Sequence, residues 1–286
     1  MDYVNPDAKV ETDWLADRLD DPSVAILDAS FHLPAANRDP KVEFAEKHIP
    51  GAIFFDVDDV SDHSVNLPHM LPTPEVFGEK VGALGISPDH HVVVYDVSGG
   101  PMAAMRVWWT FRIFGHKNIS VLNGGMAKWL AEGRPVISDT PERPAEKYVA
   151  GGLNIGLVRS IDQVLANLTG NEEQVVDARA AGRYAGTDPE PREGMRSGHI
   201  PGSISLPFQQ LLNMDEHMTI RPADELKAAI TDAGIDPTGP IVSSCGSGVT
   251  AAVLVYAMYL IGYDHGAIYD GSWTEWGGRP DTPIDT

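Results

Sequence analysis

The chain has 286 residues, 43% of them apolar and 22% charged, which is the composition of a soluble globular protein large enough for two domains of ordinary size. Its formal net charge of −20 argues against nucleic acid and anionic membranes as partners, because both bind basic surfaces. The single cysteine excludes an internal disulfide and a cysteine-rich metal site.

Short β-branched runs alternate with helical patterns along the whole chain. In chain order, the predicted strands are 24–27, 92–95, 119–122, 174–176, 241–244 and 267–269. The predicted helices are 12–19, 74–84, 103–114, 161–169, 223–233 and 250–261. This alternation, with continuous apolar strands, predicts an α/β fold in which mostly parallel sheets are flanked by helices. Sheets of this kind carry their reactive groups beyond the carboxyl ends of the strands.

No apolar stretch is long enough to span a membrane, the longest being 251–261. The first residues are acidic and lack the basic and apolar regions of a secretory signal, so we expect a cytoplasmic protein with no membrane partner. The histidines show no metal-ligand spacing. Gly99-Gly100 and Gly124-Gly125 do not form a dinucleotide fingerprint, so we predict neither a metal nor a cofactor.

The chain repeats itself once. Four landmarks of the first half recur in the same order, 147 to 151 residues later: Asp28 as Asp177, His48 as His199, Asp96 as Cys245, and Trp129 as Trp276. Both histidines open a His-Ile-Pro-Gly motif, and both tryptophans are followed by Gly-Arg-Pro. This nearly constant offset indicates a tandem duplication of one domain. We expect domains at 1–137 and 158–286, joined by a proline- and charge-rich linker at 138–157.

The only cysteine, Cys245, lies between the predicted strand 241–244 and the predicted helix 250–261. The loop 245–250 reads Cys-Gly-Ser-Gly-Val-Thr, and its two glycines allow successive backbone N–H groups to turn inward. A helix N-terminus favours thiolate over thiol, and thiolate is the nucleophilic form. A reactive cysteine is therefore one interpretation, and a small buried structural cysteine is the other.

With this duplication and this loop, the chain resembles the tandem-domain rhodanese-like sulfurtransferases over essentially its whole length. Within that family, loop 245–250 is similar, residue for residue, to the signature of the 3-mercaptopyruvate branch. Thiosulfate-type relatives carry Arg and Lys where this chain has Gly246 and Ser247. The resemblance implies that Cys245 carries sulfur as a persulfide and that the loop binds substrate through four residues: Gly246, Gly248, Val249 and Thr250.

Two arginines, Arg183 and Arg192, lie nine residues apart in a loop rich in glycine and proline. A guanidinium group binds a carboxylate in two places at once, so the pair could converge on one small keto acid. The resemblance implies that these two arginines hold the substrate's carboxylate and carbonyl groups. Surface arginines in a polar loop are the alternative interpretation. Arg179 and Arg196 lie nearby in the sequence, with less reason to place them in the site.

The first half contributes a further candidate group. The resemblance implies that Asp58 and His69, together with Ser247, form a proton relay, whereas a solvated or structural histidine is the alternative. Asp96 occupies the position of the cysteine in the first copy and cannot carry sulfane sulfur. We therefore expect the first domain to be catalytically silent and to form part of the cleft wall.

The resemblance implies a two-step reaction. Cys245 takes sulfur from 3-mercaptopyruvate, releases pyruvate, and passes the sulfur to a thioredoxin-like protein, a low-molecular-weight thiol or cyanide. Thiosulfate:cyanide transfer with the same nucleophile is the nearest alternative, and a non-catalytic binding module of the same fold is a third. A cysteine phosphatase is disfavoured, because those enzymes need an arginine six residues after the cysteine, where this chain has Ala251.

Overall fold

A computed structural model of the chain describes residues 2–33, 36–97, 102–139 and 143–286. Its strands in these ranges are β1 (Lys9–Val10), β2 (Val24–Asp28), β3 (Ala52–Phe54), β4 (His91–Tyr95), β5 (Ile119–Leu122), β6 (Val158–Arg159), β7 (Gln174–Asp177), β8 (Ile204–Ser205), β9 (Leu212–Asn213), β10 (Thr219–Ile220), β11 (Ile241–Ser244) and β12 (Ala267–Tyr269). Its α-helices are α1 (Thr12–Ala16), α2 (Pro40–Glu46), α3 (Pro74–Ala83), α4 (Met102–Ile113), α5 (Gly125–Ala131), α6 (Ile161–Gly170), α7 (Ala181–Tyr184), α8 (Ala223–Asp232), α9 (Ala251–Leu260) and α10 (Ser272–Trp276). Gly99-Gly100 lies outside the described residues.

Two five-stranded sheets share one topology in the described part of the chain. The first has the order β1-β5-β4-β2-β3 and the second the order β6-β12-β11-β7-β8, and every pairing in both is parallel. The central strands, β4 and β11, are buried along almost their whole length, because helices cover both faces of each sheet. The predicted α/β fold with two tandem domains is confirmed.

The repeated sequence motifs make the same contacts in both copies. The backbone N–H of His48 donates to the carbonyl of Ile137 at 2.9 Å, and that of His199 donates to the carbonyl of Asp285 at 2.8 Å. Each copy therefore closes by pairing its His-Ile-Pro-Gly turn with the chain that follows its last helix. We propose 1–137 and 158–286 as the domain bounds.

Helices α4 and α9 hold the two domains together. Each follows the central strand of its own sheet, and each is buried on nearly all sides. The Trp108 ring of α4 packs edge-on against Tyr256 of α9, with 4.9 Å between ring centroids, and the Arg112 guanidinium lies 3.9 Å from the Tyr259 ring centroid. One apolar core continues across this contact, while each domain keeps a smaller core on its outer face. The N-termini of both helices therefore approach the boundary between the domains.

In the segment between the domains, the described residues 143–157 contact the first domain. The Tyr148 ring lies against Phe77 and His116 of the first domain, and Gly151 N–H donates to the Phe114 carbonyl at 2.8 Å. We propose that 138–157 connects the domains, and its described part 143–157 lies along the first one. No helix in the described ranges is long and apolar enough to cross a lipid bilayer.

Candidate active site

Cys245 lies at the carboxyl end of β11, on the floor of a cleft between the two domains. The residue is only 2% exposed, and the cleft encloses about 310 Å³. The second domain lines it with Arg183, Pro191, Arg192, Cys245, Gly246, Ser247, Val249 and Thr250. The first domain lines it with Phe31, His32, Leu33, Ala36, Arg38, Met102 and Ala103. The parallel-sheet rule thus places the cysteine correctly, at the strand edge where ligands bind.

The loop after Cys245 is held from outside by α10. The Cys245 carbonyl accepts a hydrogen bond from Trp273 N–H at 2.9 Å, and the Gly246 carbonyl accepts from the N–H and hydroxyl of Thr274 at 2.8 and 2.6 Å. In a trans peptide, a carbonyl and the N–H of the next residue point in opposite directions. The N–H groups of Gly246 and Ser247 therefore point away from α10, toward the inner side of the loop.

Gly248 is the position of this loop that requires glycine. Its φ is +76°, and a Cβ there would lie 2.7 Å from Arg106 Nη1 and 3.1 Å from the Asp270 carbonyl. Its carbonyl accepts a hydrogen bond from Arg106 Nη1 at 3.3 Å. Gly248 is therefore on the outer side of the loop and, of the four loop residues expected to bind substrate, it is the one that does not line the cleft.

Arg183 and Arg192 converge over the first peptide of the loop. A Cβ on Gly246 would lie 3.2 Å from Nη2 and 3.9 Å from Nη1 of Arg183, and 4.0 Å from Nη1 of Arg192. A longer side chain at position 246 would therefore meet both guanidinium groups. Because position 246 is glycine, both arginines can lie directly beside the cysteine.

The Arg183 fork is oriented by a buried carboxylate. Glu190, whose side chain is 4% exposed, accepts hydrogen bonds from Nη2 and Nε of Arg183 at 2.5 and 3.2 Å. The same carboxylate accepts from Arg179 Nη1 at 2.8 Å, and Arg179 also pairs with Asp177. Arg179 therefore acts as a structural support for the site, and Nη1 of Arg183 is left to face the cleft.

Arg192 is the freer of the two cations. Among the described residues its guanidinium makes no hydrogen bond or ion pair, although the residue is half-buried. Burial lowers the pKa of Arg192, and negative charge on Cys245 acts in the opposite direction. Guanidinium groups remain charged in proteins, so Arg192 brings an unpaired positive charge to the thiol. The protein as a whole, with a formal net charge of −20, repels anions, and this local positive charge offsets that repulsion at the cleft.

Asp58 and His69 are brought together beside the cleft rather than in it. His69 Nδ1 lies 2.9 Å from Oδ1 of Asp58, and this ring holds the pKa of the Asp58 carboxyl below its ordinary value. The two residues line an adjoining groove with Arg192, which borders both spaces. In the described ranges no hydrogen bond joins His69 to Ser247, and the buried Nε2 of His69 has no partner. The structure therefore brings Asp58 and His69 together as a pair, with Ser247 apart.

The first copy carries a buried carboxyl group at the matching strand end. Asp96 follows β4 and is 2% exposed, and its Oδ2 accepts a hydrogen bond from Ala104 N–H at 2.9 Å, in the first turn of α4. A carboxylate at a helix N-terminus is electrostatically favourable. Asp96 and Cys245 thus hold corresponding positions, each directly after the central strand of its own domain and before the helix that follows.

Sequence reasoning expected the first domain to form part of the cleft wall but did not name the residues that line it. Phe31, His32 and Leu33 follow β2, whose carboxyl end lies at the same edge as that of β4. The strand-end rule, applied to the first copy as it was to the second, would have indicated them. No local sequence pattern indicated Glu190, because the side chains that it contacts depend on the path of a long loop. Among the described residues, no cluster of three or more His, Cys, Asp and Glu side chains could hold a metal ion.

Comparison with known proteins identifies the family of the chain. The rhodanese-like domain model matches the chain twice, at residues 11–132 and 160–279. The chain is 45% identical to thiosulfate sulfurtransferase of Mus musculus, covering 97% of this chain and 95% of that protein. It is 44% identical to 3-mercaptopyruvate sulfurtransferase of Rattus norvegicus, covering 94% and 91%. The crystal structure of the 3-mercaptopyruvate sulfotransferase SseA from Escherichia coli superposes with a TM-score of 0.84 at 37% identity, covering 93% of this chain and 98% of that one. The chain belongs to the rhodanese-like family and is a sulfurtransferase.

Proposed function

We propose that the sulfur donor is 3-mercaptopyruvate and that Cys245 carries the transferred sulfur as a persulfide. The observation that carries this proposal is the convergence of Arg183 and Arg192 over Gly246, within 4.0 Å of a Cβ placed there. A planar carboxylate with an adjacent keto oxygen fits two guanidinium forks beside one thiol. Gly246 and Ser247 add no charge, which suits a monoanion.

The chemistry balances without a cofactor. The Cys245 thiolate attacks the thiol sulfur of 3-mercaptopyruvate, and the carbon–sulfur bond breaks with its electron pair on carbon. The enolate of pyruvate takes up a proton, which the new persulfide S–H or solvent supplies, and pyruvate leaves. The inward N–H groups of Gly246 and Ser247 stabilise negative charge on the sulfur in both states.

The second half-reaction needs an acceptor from outside the chain, because the sequence has no other cysteine to resolve the persulfide. Sulfurtransferases pass sulfur to thiols or to cyanide, and we propose a low-molecular-weight thiol or a thioredoxin-like protein. The acceptor thiolate attacks the outer sulfur, the sulfur–sulfur bond breaks, and the Cys245 thiolate is regenerated. A cytoplasmic location, where thiols stay reduced, is part of the same proposal and is tested by cell fractionation.

Asp58, His69 and Ser247 remain proposed participants. The Asp58–His69 pair lies next to Arg192, at the edge of the space where the enolate would form. We propose that this pair moves the proton in that step, with Ser247 contacting substrate from the loop. Gly248 contributes through the loop backbone, while Val249 and Thr250 line the cleft.

Thiosulfate is the second candidate donor, because two guanidinium groups also suit a dianion. The test measures pyruvate release from 3-mercaptopyruvate and thiocyanate formation from thiosulfate plus cyanide, on the same enzyme. We expect kcat/KM to favour 3-mercaptopyruvate by at least about tenfold, or about 1.4 kcal/mol. A preference for thiosulfate would refute this donor assignment.

Two variants test the residue roles. Cys245→Ser should abolish pyruvate release, and wild-type protein treated with donor should gain about 32 Da on Cys245, the mass of one sulfur atom. Arg183→Lys should raise KM for 3-mercaptopyruvate about tenfold, since an ammonium cannot bind a carboxylate in two places. Arg279→Lys is the matched control, because Arg279 is exposed and pairs with Asp281 away from the cleft. Equal KM in both lysine variants would contradict the proposed role of Arg183.

A further inference from the structure

A buried arginine of the first domain contacts the back of loop 245–250. Arg106, on α4, is 2% exposed, and its guanidinium stacks 4.4 Å from the Trp109 ring centroid. It donates to the Gly248 carbonyl at 3.3 Å, to the His69 carbonyl at 2.5 Å, and to Asp270 Oδ1 at 2.6 Å. One side chain thus joins the loop of the second domain to the segment of the first that carries His69.

The contact with Gly248 completes a pattern in the loop backbone. The carbonyls of Cys245 and Gly246 are held outward by α10, and that of Gly248 is held outward by Arg106. Because the peptide after Gly248 is trans, the Val249 N–H points away from Arg106 and toward the inner side of the loop. The contact with the first domain therefore sets the direction of the third inward N–H group.

Asp270 fixes Arg106 in turn. Its Oδ1 pairs with the guanidinium, and its Oδ2 accepts a hydrogen bond from Leu71 N–H at 2.8 Å. Both charged side chains are almost completely buried, at 2% and 6% exposure. A buried pair costs desolvation energy that a pair of apolar side chains would avoid, so it is poor evidence for a purely stabilising role. The multiple hydrogen bonds of the guanidinium instead specify one loop geometry.

We propose that Arg106 is a positioning residue for sulfur transfer: held by Asp270, it fixes the Gly248 carbonyl so that the Val249 N–H is directed at the sulfur of Cys245. The first domain then supplies part of the machinery that stabilises anionic sulfur, although it has no nucleophile. The proposal concerns the thiolate as well as the persulfide, so it can be tested without any assumption about the donor.

The experiment compares Arg106→Gln with the matched control Arg112→Gln. Arg112 lies on the same helix, and its guanidinium also contacts the second domain, over the Tyr259 ring, but it does not touch the loop. The readout is the pH midpoint of iodoacetamide alkylation, which reports Cys245 alone because the chain has no other cysteine. Arg183 and Arg192, the cations beside the thiol, are unchanged in both variants.

We expect Arg106→Gln to raise the alkylation midpoint by about one pH unit and to lower kcat for pyruvate release about tenfold. Arg112→Gln should lower the thermal unfolding midpoint without moving the alkylation midpoint. An unchanged alkylation midpoint in folded Arg106→Gln overturns the proposal, and so does an equal shift in the control. If Arg106→Gln does not fold, the double variant Arg106→Gln/Asp270→Asn removes both buried charges and carries the same expectation. A shifted midpoint in a protein that does not use 3-mercaptopyruvate would leave this inference standing while the proposed donor fails.

Discussion

A methyl group added at Gly246 tests the arrangement of the arginines directly. In Gly246→Ala the new Cβ would lie 3.2 Å from Arg183 Nη2, which is closer than most such contacts allow. Arg183 cannot easily retreat, because Glu190 holds the same nitrogen at 2.5 Å. The guanidinium must therefore shift by a few tenths of an ångström or break its contact with Glu190. The backbone is not strained by this change, since Gly246 does not have a positive φ.

The size of the effect follows from the hydrogen bonds at risk. A hydrogen bond to a charged group contributes about 1.5–3 kcal/mol, and a small displacement of the fork should forfeit part of one. A loss of about 1.4 kcal/mol corresponds to a tenfold rise in KM for the keto acid donor. The free energy of unfolding should change by less than about 1 kcal/mol, because the gain of about 0.4–1 kcal/mol from restricting the unfolded chain is offset by the displacement of Arg183.

The assay is steady-state pyruvate release by Gly246→Ala, with thermal unfolding measured in parallel. Gly248→Ala is the contrasting variant, because its Cβ would combine a positive φ with a contact of 2.7 Å to Arg106. That protein should lose stability and kcat together. A KM in Gly246→Ala within twofold of wild type, with the fold intact, would refute the placement of Arg183 over the loop.

Three further predictions concern the network, the acid stability and the interface. Glu190→Gln should lower the free energy of unfolding, measured by urea titration, by about 2 kcal/mol, because Arg179 and Arg183 lose their shared carboxylate. The KM for the sulfur donor should rise for the same reason. An unchanged free energy of unfolding together with an unchanged KM would contradict the prediction. Burial alone would raise the pKa of Glu132, but hydrogen bonds from Lys128 and neighbouring groups outweigh it and lower the pKa from 4.5 to about 2. The stabilisation that Glu132 contributes is therefore present above about pH 4.5 and is lost as the pH falls toward 2. The difference in the free energy of unfolding between wild type and Glu132→Gln should shrink over that range. A constant difference would contradict this prediction. Trp108 lies at the contact of α4 with α9, and Trp108→Ala should lower the free energy of unfolding by about 3–5 kcal/mol. Both domains of this variant should unfold in one calorimetric transition. Two separate transitions would argue against a shared core.

The sequence predicted the interior strands of each sheet well because both faces of each sheet are covered. Buried parallel strands are continuous apolar runs, and 119–122, 241–244 and 267–269 agree with β5, β11 and β12 residue for residue. The edge strands β1 and β6 have two residues each, too few for any periodicity, and they exist because β5 and β12 offer unpaired edges. The predicted helix 12–19 ends instead at Ala16, before a run of aspartates and a proline that does not favour helix.

The candidate site, like the fold, has parts that local sequence predicts and parts that depend on tertiary structure. Cys245 could be located from local sequence, because a strand, two glycines and a helix follow one another in the chain. The convergence of Arg183 and Arg192 depends on the path of a loop, so only the resemblance indicated their role. Arg106 and Asp270 are 164 residues apart in different domains, and no local pattern marks them as partners. Their pairing is a product of tertiary structure alone.

The packing of α4 on α9 has a consequence for how a gene of this kind can change. A gene fragment that encoded only the second copy would keep the nucleophile and both cleft arginines. Its product would expose the apolar surface of α9 to water and would lack the aromatic wall around Phe31. The first copy, which has Asp96 where the second has the thiol, is therefore not dispensable. Selection on the reaction should act on both halves, and fission of such a gene should be rarer than its original duplication.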